Sequence, residues 1–311
     1  MSWQAVRVFR QQIDKMILIT GATGRIGRRV VNRLVAANQP VRVLVRDHEK
    51  ARNLLPSKKI DTVVGDLADH DLLHSALDGT QAVMLLSPVD PEQVELQGKV
   101  VTAALATSQP YIVKISGLGT SLDSYIDSGR WHAETEQQIQ SSGLRHTFLR
   151  PLFFMQNLAF LLGSAGSEGV IRAGVADSKI AMVDADDIAD VTTRLLIEKN
   201  IAVNENMTLT SHESVTYHQV AEAMTQVLRR EVKYQQQTLE EVNQALLKSR
   251  QPEWHIKILL QFNRAFLEGM GDVVSDAVAD ILGRPAVTLQ EYLEREVRES
   301  TGDHSSNPFP S

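Results

Sequence analysis

From Met16 onward, short β-branched apolar runs alternate with longer segments whose apolar residues recur at helical spacing, the pattern of stacked βα units. The runs predict strands over residues 16–20, 41–45, 60–65, 82–86, 111–115 and 145–149. Several are apolar at consecutive positions instead of every second one. Both faces then need cover, which favours a parallel sheet between two helical layers. The segments 25–38, 69–77, 91–107 and 129–141 read as helices, with Asp69 and Asp90 placed to cap two of them.

The rhythm changes after Pro151. PLFFMQNLAFLL (151–162) predicts a dense apolar helix, and the Gly/Ser-rich stretch 163–174 a loop. A smaller, mostly helical region follows from Ile180, in which acidic DADD (184–187) leads into IADVTTRLLIEK. A short strand is expected at 207–210 and a helix at 216–229. The chain thus divides into an extension, 1–15; a main α/β domain, 16–152; a smaller C-terminal region, 153–298, of which about 180–210 returns to the sheet; and an aperiodic tail, 299–311.

Composition narrows the chemistry. With 311 residues the chain can bury about 75% of its unfolded surface, so it needs no disulfide or structural zinc. It has no cysteine, which removes disulfides, thiolate metal sites and cysteine nucleophiles. The net charge of −6 argues against nucleic acid as a partner. No apolar run is long enough to span a bilayer and MSWQAVRVFRQQIDK lacks the core of a secretory signal, so the expected location is cytoplasmic. Arg7 and Arg10 keep a targeting role open for the extension, beside a plain loose terminus or a start site upstream of Met16.

ILITGATGRIGRRVVNRLV places Gly21, Gly24 and Gly27 between the first strand and the first helix. Gly21 permits a tight turn, Gly24 lets amides approach a pyrophosphate, and Gly27 lets helix and strand pack closely. The phosphate would then sit at the positive end of the helix. The expected architecture is a Rossmann-type, doubly wound α/β fold with a smaller helical substrate region. Thr23, Arg25 and Ile26 belong to the same cradle. At the end of the second strand Arg46 matches a 2′-phosphate in charge and fork geometry, favouring NADP(H); the adjacent Asp47 keeps NAD(H) open unless it is only a helix cap. Asp66 with Leu67, and Leu86 with Ser87, end the third and fourth strands, where adenine and ribose bind; Asp66 is alternatively a cap.

GATGRIG, LVRDHEKA, GDLADHDLLHSAL, VKISGLG, HAETEQQIQSSGLRHTFLRP, MQN and VADILGRPAVTLQEYL occur in an order that resembles the NmrA-like group of atypical short-chain dehydrogenase/reductases, across about residues 16–298. Within that group the chain is similar to flavin-independent NAD(P)H:quinone oxidoreductases and triphenylmethane reductases. The resemblance implies an NADPH-dependent reductase, with Ser116 at the serine position just past the fifth strand. It also exposes a departure. Where the superfamily carries a catalytic tyrosine and, four residues on, a lysine, this chain has Ser128 and His132.

The lost phenol separates substrates. Hydride addition to a ketone makes an alkoxide that needs an acid in step, whereas a quinone gives a far less basic phenolate and a cationic dye a neutral product. A planar, conjugated small-molecule acceptor is therefore expected. Two readings of His132 stand: a ligand of the nicotinamide ribose or proton donor near neutral pH, or a helix-surface residue pairing with Glu136 one turn on. Tyr125 is a candidate replacement phenol. No third ligand joins His132 and Glu136, so no metal is assigned, and no G-x-S-x-G elbow supports serine hydrolysis.

Pro151, Phe153, Phe154, Met155 and Asn157 would pass the nicotinamide, the aromatics as a flat wall, although Phe154 and Met155 read better as core. The helices around PEWHIKILLQFNRAFLEGMG are expected to cover the substrate, or to form a homodimer or partner surface; Trp254, Phe262 and Phe266 are not sorted by pattern. The alternative to a reductase is a catalytically silent NADP(H)-binding redox sensor or assembly factor.

Overall fold

In strand β1 (Met16–Thr20), Ile17, Leu18 and Ile19 are all fully buried, so neighbours pointing to opposite faces each meet a covering layer. The same holds along β2 (Val41–Val45), β4 (Thr80–Leu85) and β5 (Tyr111–Ile115). β3 (Ile60–Val64) at one edge is largely open to solvent, while β6 (His146–Pro151) is again buried. These elements come from a computed structural model that describes residues 16–56 and 60–301. The expected extension lies outside the described residues, as does the tail beyond Thr301.

The chain divides into two compact units. The first, residues up to 151 with 185–209, carries a seven-stranded, wholly parallel sheet. The intervening helices are α1 (Arg25–Ala36), α2 (His48–Leu54), α3 (His70–Leu77), α4 (Gln93–Ala106), α5 (Asp127–Ser142) and α6 (Ala185–Ile197). With β7 (Glu205–Leu209), the strand order is β3-β2-β1-β4-β5-β6-β7. The order reverses between β1 and β4, and open α/β sheets bind ligands at the carboxyl ends of strands beside such a reversal. Leu18, Leu73, Leu77, Val83, Leu85, Val100, Ile112, Ile139 and Phe148 form one continuous core on the face carrying α3, α4 and α5. α6 packs on α1, where Arg29 pairs with Asp186 at 3.1 Å and Arg33 with Asp186 and Asp190, so Asp186 of the acidic DADD segment helps dock α6 on α1.

In the second unit, 152–184 with 210–301, Phe153–Phe154 pairs with Ile180–Val183, which pairs in turn with Ser214–Val215; Val170–Ala173 pairs with Lys233–Gln236. The apolar segment after Pro151 therefore is not one helix. Backbone pairing of Phe153 with Met182 and Phe154 with Val183 claims its start, and a 3-10 turn over Met155–Leu158 follows. The helix itself, Ala159–Glu168, takes in the first half of the expected Gly/Ser loop and stops at Gly169 in the left-handed region, after which Val170–Ala173 is a strand. Further along, Thr216 and Gln219 close a capping box on the helix Tyr217–Leu228.

Candidate active site

The turn after β1 has no room for a side chain at Gly21 or Gly27. Gly21 stands at φ +65°, and a Cβ on it would lie 2.9 Å from the Leu86 carbonyl oxygen. A Cβ on Gly27 would lie 2.1 Å from the Gly21 carbonyl oxygen and 2.8 Å from Ala22 Cα. Thr20 Oγ1 accepts the Leu86 N–H at 2.9 Å, tying the turn to the end of β4. Gly24 is the extended N-cap of α1 and no side chain caps the helix, so the first-turn amides of Arg25, Ile26 and Gly27 lack intrahelical acceptors. The Ile26 side chain is buried, so it offers only backbone, while Gly24 and Arg25 are exposed and Thr23 is half-buried. A bare amide nest at a positive helix end fits a pyrophosphate.

At the end of β2 the Asp47 carboxylate accepts the Lys50 N–H at 3.0 Å and caps α2. Arg46 is exposed, and no acid among the described residues pairs with it. Lys50 is exposed and Arg52 pairs with Glu49. Asp66 Oδ1 takes the Ala68 N–H at 2.9 Å in a local turn; the cap of α3 is Asp69, whose carboxylate accepts the Leu72 N–H. Leu67 packs half-buried against the core.

Two polar clusters gather where β5 and β6 end. In one, the Ser116 hydroxyl donates to Glu136 Oε1 at 2.6 Å, and Arg150 from β6 grips the same carboxylate through Nε at 3.2 Å and through Nη2. In the other, His132 Nδ1 lies 3.0 Å from Gln93 Nε2 and 3.2 Å from Lys114 Nζ. Lys114 Nζ also donates to Gln97 Oε1 at 3.0 Å, and Gln97 Nε2 to Ser87 Oγ at 2.8 Å. Lys114 is wholly buried and His132 nearly so. Burial, then the charges of Lys114 and Arg150, hold the His132 imidazole well below its ordinary range. Burial brings the Lys114 amine down to about 7, opposed by the Glu136 charge.

The helix-surface reading of His132 is thus corrected. α5 turns His132 inward, and Glu136 one turn on is claimed by Ser116 and Arg150, which offer stronger donors than a neutral ring. Ser128 is buried in the first turn of α5, Tyr125 lies half-buried just before it, and Pro151 is buried at the end of β6 opposite Leu209. In the second unit Met155 is core and Phe154 only half-buried, while Phe153 meets the buried Phe266 edge-on at 5.5 Å.

Residues 13–293 match the NmrA-like family. The chain belongs to that family. Among NmrA-like relatives, an NAD(P)H azoreductase of Xenophilus azovorans is 34% identical over 282 residues, covering 90% of this chain and 97% of the relative. Quinone oxidoreductase 2 of Escherichia coli is 29% identical over 284 residues, covering 89% of this chain and 97% of that protein. The solved NADPH complex of an E. coli NADPH-dependent quinone oxidoreductase superposes with a TM-score of 0.82 at 26% identity, covering 90% of this chain and 99% of that one. The NmrA-like and doubly wound expectations both hold.

Lys114, Gln93, Gln97 and Arg150 were not singled out from sequence. A signal exists for three of them: Lys114 interrupts the apolar strand YIVKI, and Gln93 and Gln97 stand four apart on the inward stripe of α4 that continues as Val100, Val101 and Ala104. Polar residues on a core stripe require partners.

Proposed function

We propose that the chain is an NAD(P)H-dependent reductase, with NADP(H) as the preferred cofactor, that acts on a quinone, azo or similarly conjugated acceptor without a flavin. The supporting observation is a buried, neutral imidazole, His132, at the carboxyl edge of the sheet whose first turn fits a pyrophosphate. NADP(H) over NAD(H) is supported by Asp47 being committed to its helix cap while Arg46 stands free at the same strand end. The glycine turn, Arg46 and Asp66 would hold the nucleotide, and bound NADPH would supply a hydride to the acceptor.

The chain's own groups suit an acceptor whose reduced form is weakly basic. Ser116 already donates its proton to Glu136, so its remaining capacity is to accept and position. His132 is the nearby group with a transferable ring proton. The test is NADPH oxidation by purified protein, shown by absorbance to carry no flavin, against a panel of quinones, azo dyes and simple ketones. Turnover with conjugated acceptors and none with ketones is expected. The engagement of Ser116 favours a second reading, a silent NADP(H)-binding sensor; tight NADPH binding with no oxidation by any acceptor would establish it and overturn the reductase.

A further inference from the structure

A neutral His132 faces a chemical difficulty as a donor. Giving up its ring proton alone would leave an imidazolate, a stronger base than any phenolate it serves. The ring must regain a proton at its other nitrogen as the first one leaves. Among the described residues, one group is placed to provide it. Lys114 Nζ is 3.2 Å from Nδ1, and while it is an ammonium it can only donate, so in that state Nδ1 is the bare nitrogen and the ring proton lies on Nε2. Nε2 is turned toward Gly117, where a Cβ would come within 3.6 Å, on the residue following Ser116 past the end of β5.

We propose that Lys114 is the proton reservoir of His132, its buried ammonium refilling Nδ1 as the ring gives up its Nε2 proton to the reduced acceptor. This rests on the reductase reading above. The N–H bond at Nε2 breaks as an O–H or N–H bond forms on the acceptor anion; the N–H bond at Nζ breaks as one forms at Nδ1. No electrons move within the relay, and Lys114, left as a neutral amine, takes its proton back from solvent.

The groups around the pair suit such an exchange. Gln97 Oε1 accepts from Nζ at 3.0 Å and fixes the amine on its strand. Gln93 lies against Nδ1 from α4, Glu136 on α5 favours the ammonium, and Arg150 on β6 disfavours a charged ring. The cation therefore rests on Lys114 and not on His132, while an amine titrating near neutrality can still release it. Lys114 acts through His132 and is a positioning and relay residue, not one that touches substrate.

The relay is tested first without nucleotide or acceptor. Nitrogen-15 spectra of the histidines and carbon-13 spectra of the lysines are followed from about pH 6 to about pH 9. His132 should stay neutral with its proton on Nε2, and its Nδ1 resonance should shift with the same midpoint as the Lys114 side chain. A proton on Nδ1, or an Nδ1 signal blind to the Lys114 titration, overturns the proposal. The second test compares kcat for NADPH oxidation by a naphthoquinone in wild type, Lys114→Met and Lys114→Arg. Both variants should lose about a hundredfold in kcat, with the KM for NADPH unchanged and the basic limb of the pH profile gone. Arginine keeps the charge but not the releasable proton, so rescue by Lys114→Arg would reduce Lys114 to a structural cation and overturn the relay. Failure of wild type to oxidise NADPH at all would sink the reductase reading, with the spectra still deciding whether Lys114 and His132 share a proton.

Discussion

Replacing Lys114 by methionine should make the protein more stable in acid and should flatten its dependence on pH. The amine is fully buried and falls from 10.5 to about 7, which at about 1.4 kcal/mol per unit opposes folding by about 5 kcal/mol when the lysine is charged. The unfolded chain keeps this proton to about pH 10 while the folded one releases it near 7, so between those values the unfolded state binds more protons and stability rises with pH. Below about pH 7 the full cost is felt. Methionine removes the cost but leaves Gln97 Oε1 without its lysine donor, a loss of about 1–3 kcal/mol. That loss is the same at every pH. Urea unfolding followed by circular dichroism at pH 6 and pH 9 should therefore show wild type gaining about 3 kcal/mol relative to Lys114→Met across the interval. Parallel pH dependences in the two proteins would refute the buried-amine reasoning.

Other changes should separate binding from folding. Gly27→Ala drives a methyl to 2.1 Å from the Gly21 carbonyl oxygen, so the turn must open; NADPH binding measured by calorimetry should be lost, with a fall in stability of at least about 1 kcal/mol. Arg46→Asp should weaken NADPH binding by at least about tenfold while leaving NADH binding within a few-fold, read from fluorescence titrations with each nucleotide. Glu136→Gln leaves the Arg150 guanidinium without its counter-charge and should cost about 3 kcal/mol in urea unfolding, whereas the double change Glu136→Gln with Arg150→Met should recover part of it.

The sheet was legible because its inner strands β1, β2, β4 and β5 are buried on both faces and must be apolar nearly throughout. β1, β2 and β5 fall where the pattern placed them, and β3, β4 and β6 within two residues. The helix α2 was foreshadowed only by the possible cap at Asp47 and its extent was not predicted, since only Ala51 of its seven residues is buried and a helix so exposed leaves little periodic trace. Beyond Pro151 apolar density misled, because Phe153 and Phe154 are claimed by strand pairing that depends on Met182 and Val183, almost thirty residues away. The glycine turn could be read from local spacing. The Lys114–His132 pair could not, because it joins a strand to a helix eighteen residues on and its glutamine partners lie on a third element.

The first unit is discontinuous in the chain, and this bears on how it can be made. Its closing strand β7 and the helix α6, whose Asp186 and Asp190 clasp Arg29 and Arg33, arrive only after the whole segment 152–184. During synthesis the nascent sheet must wait with β6 as a bare edge until residue 209 has cleared the ribosome, and bare edges invite pairing with other chains. A gene cut after Pro151 would freeze the protein at that aggregation-prone stage, so a minimal nucleotide-binding fragment has to be built by splicing 185–209 back in, not by truncation.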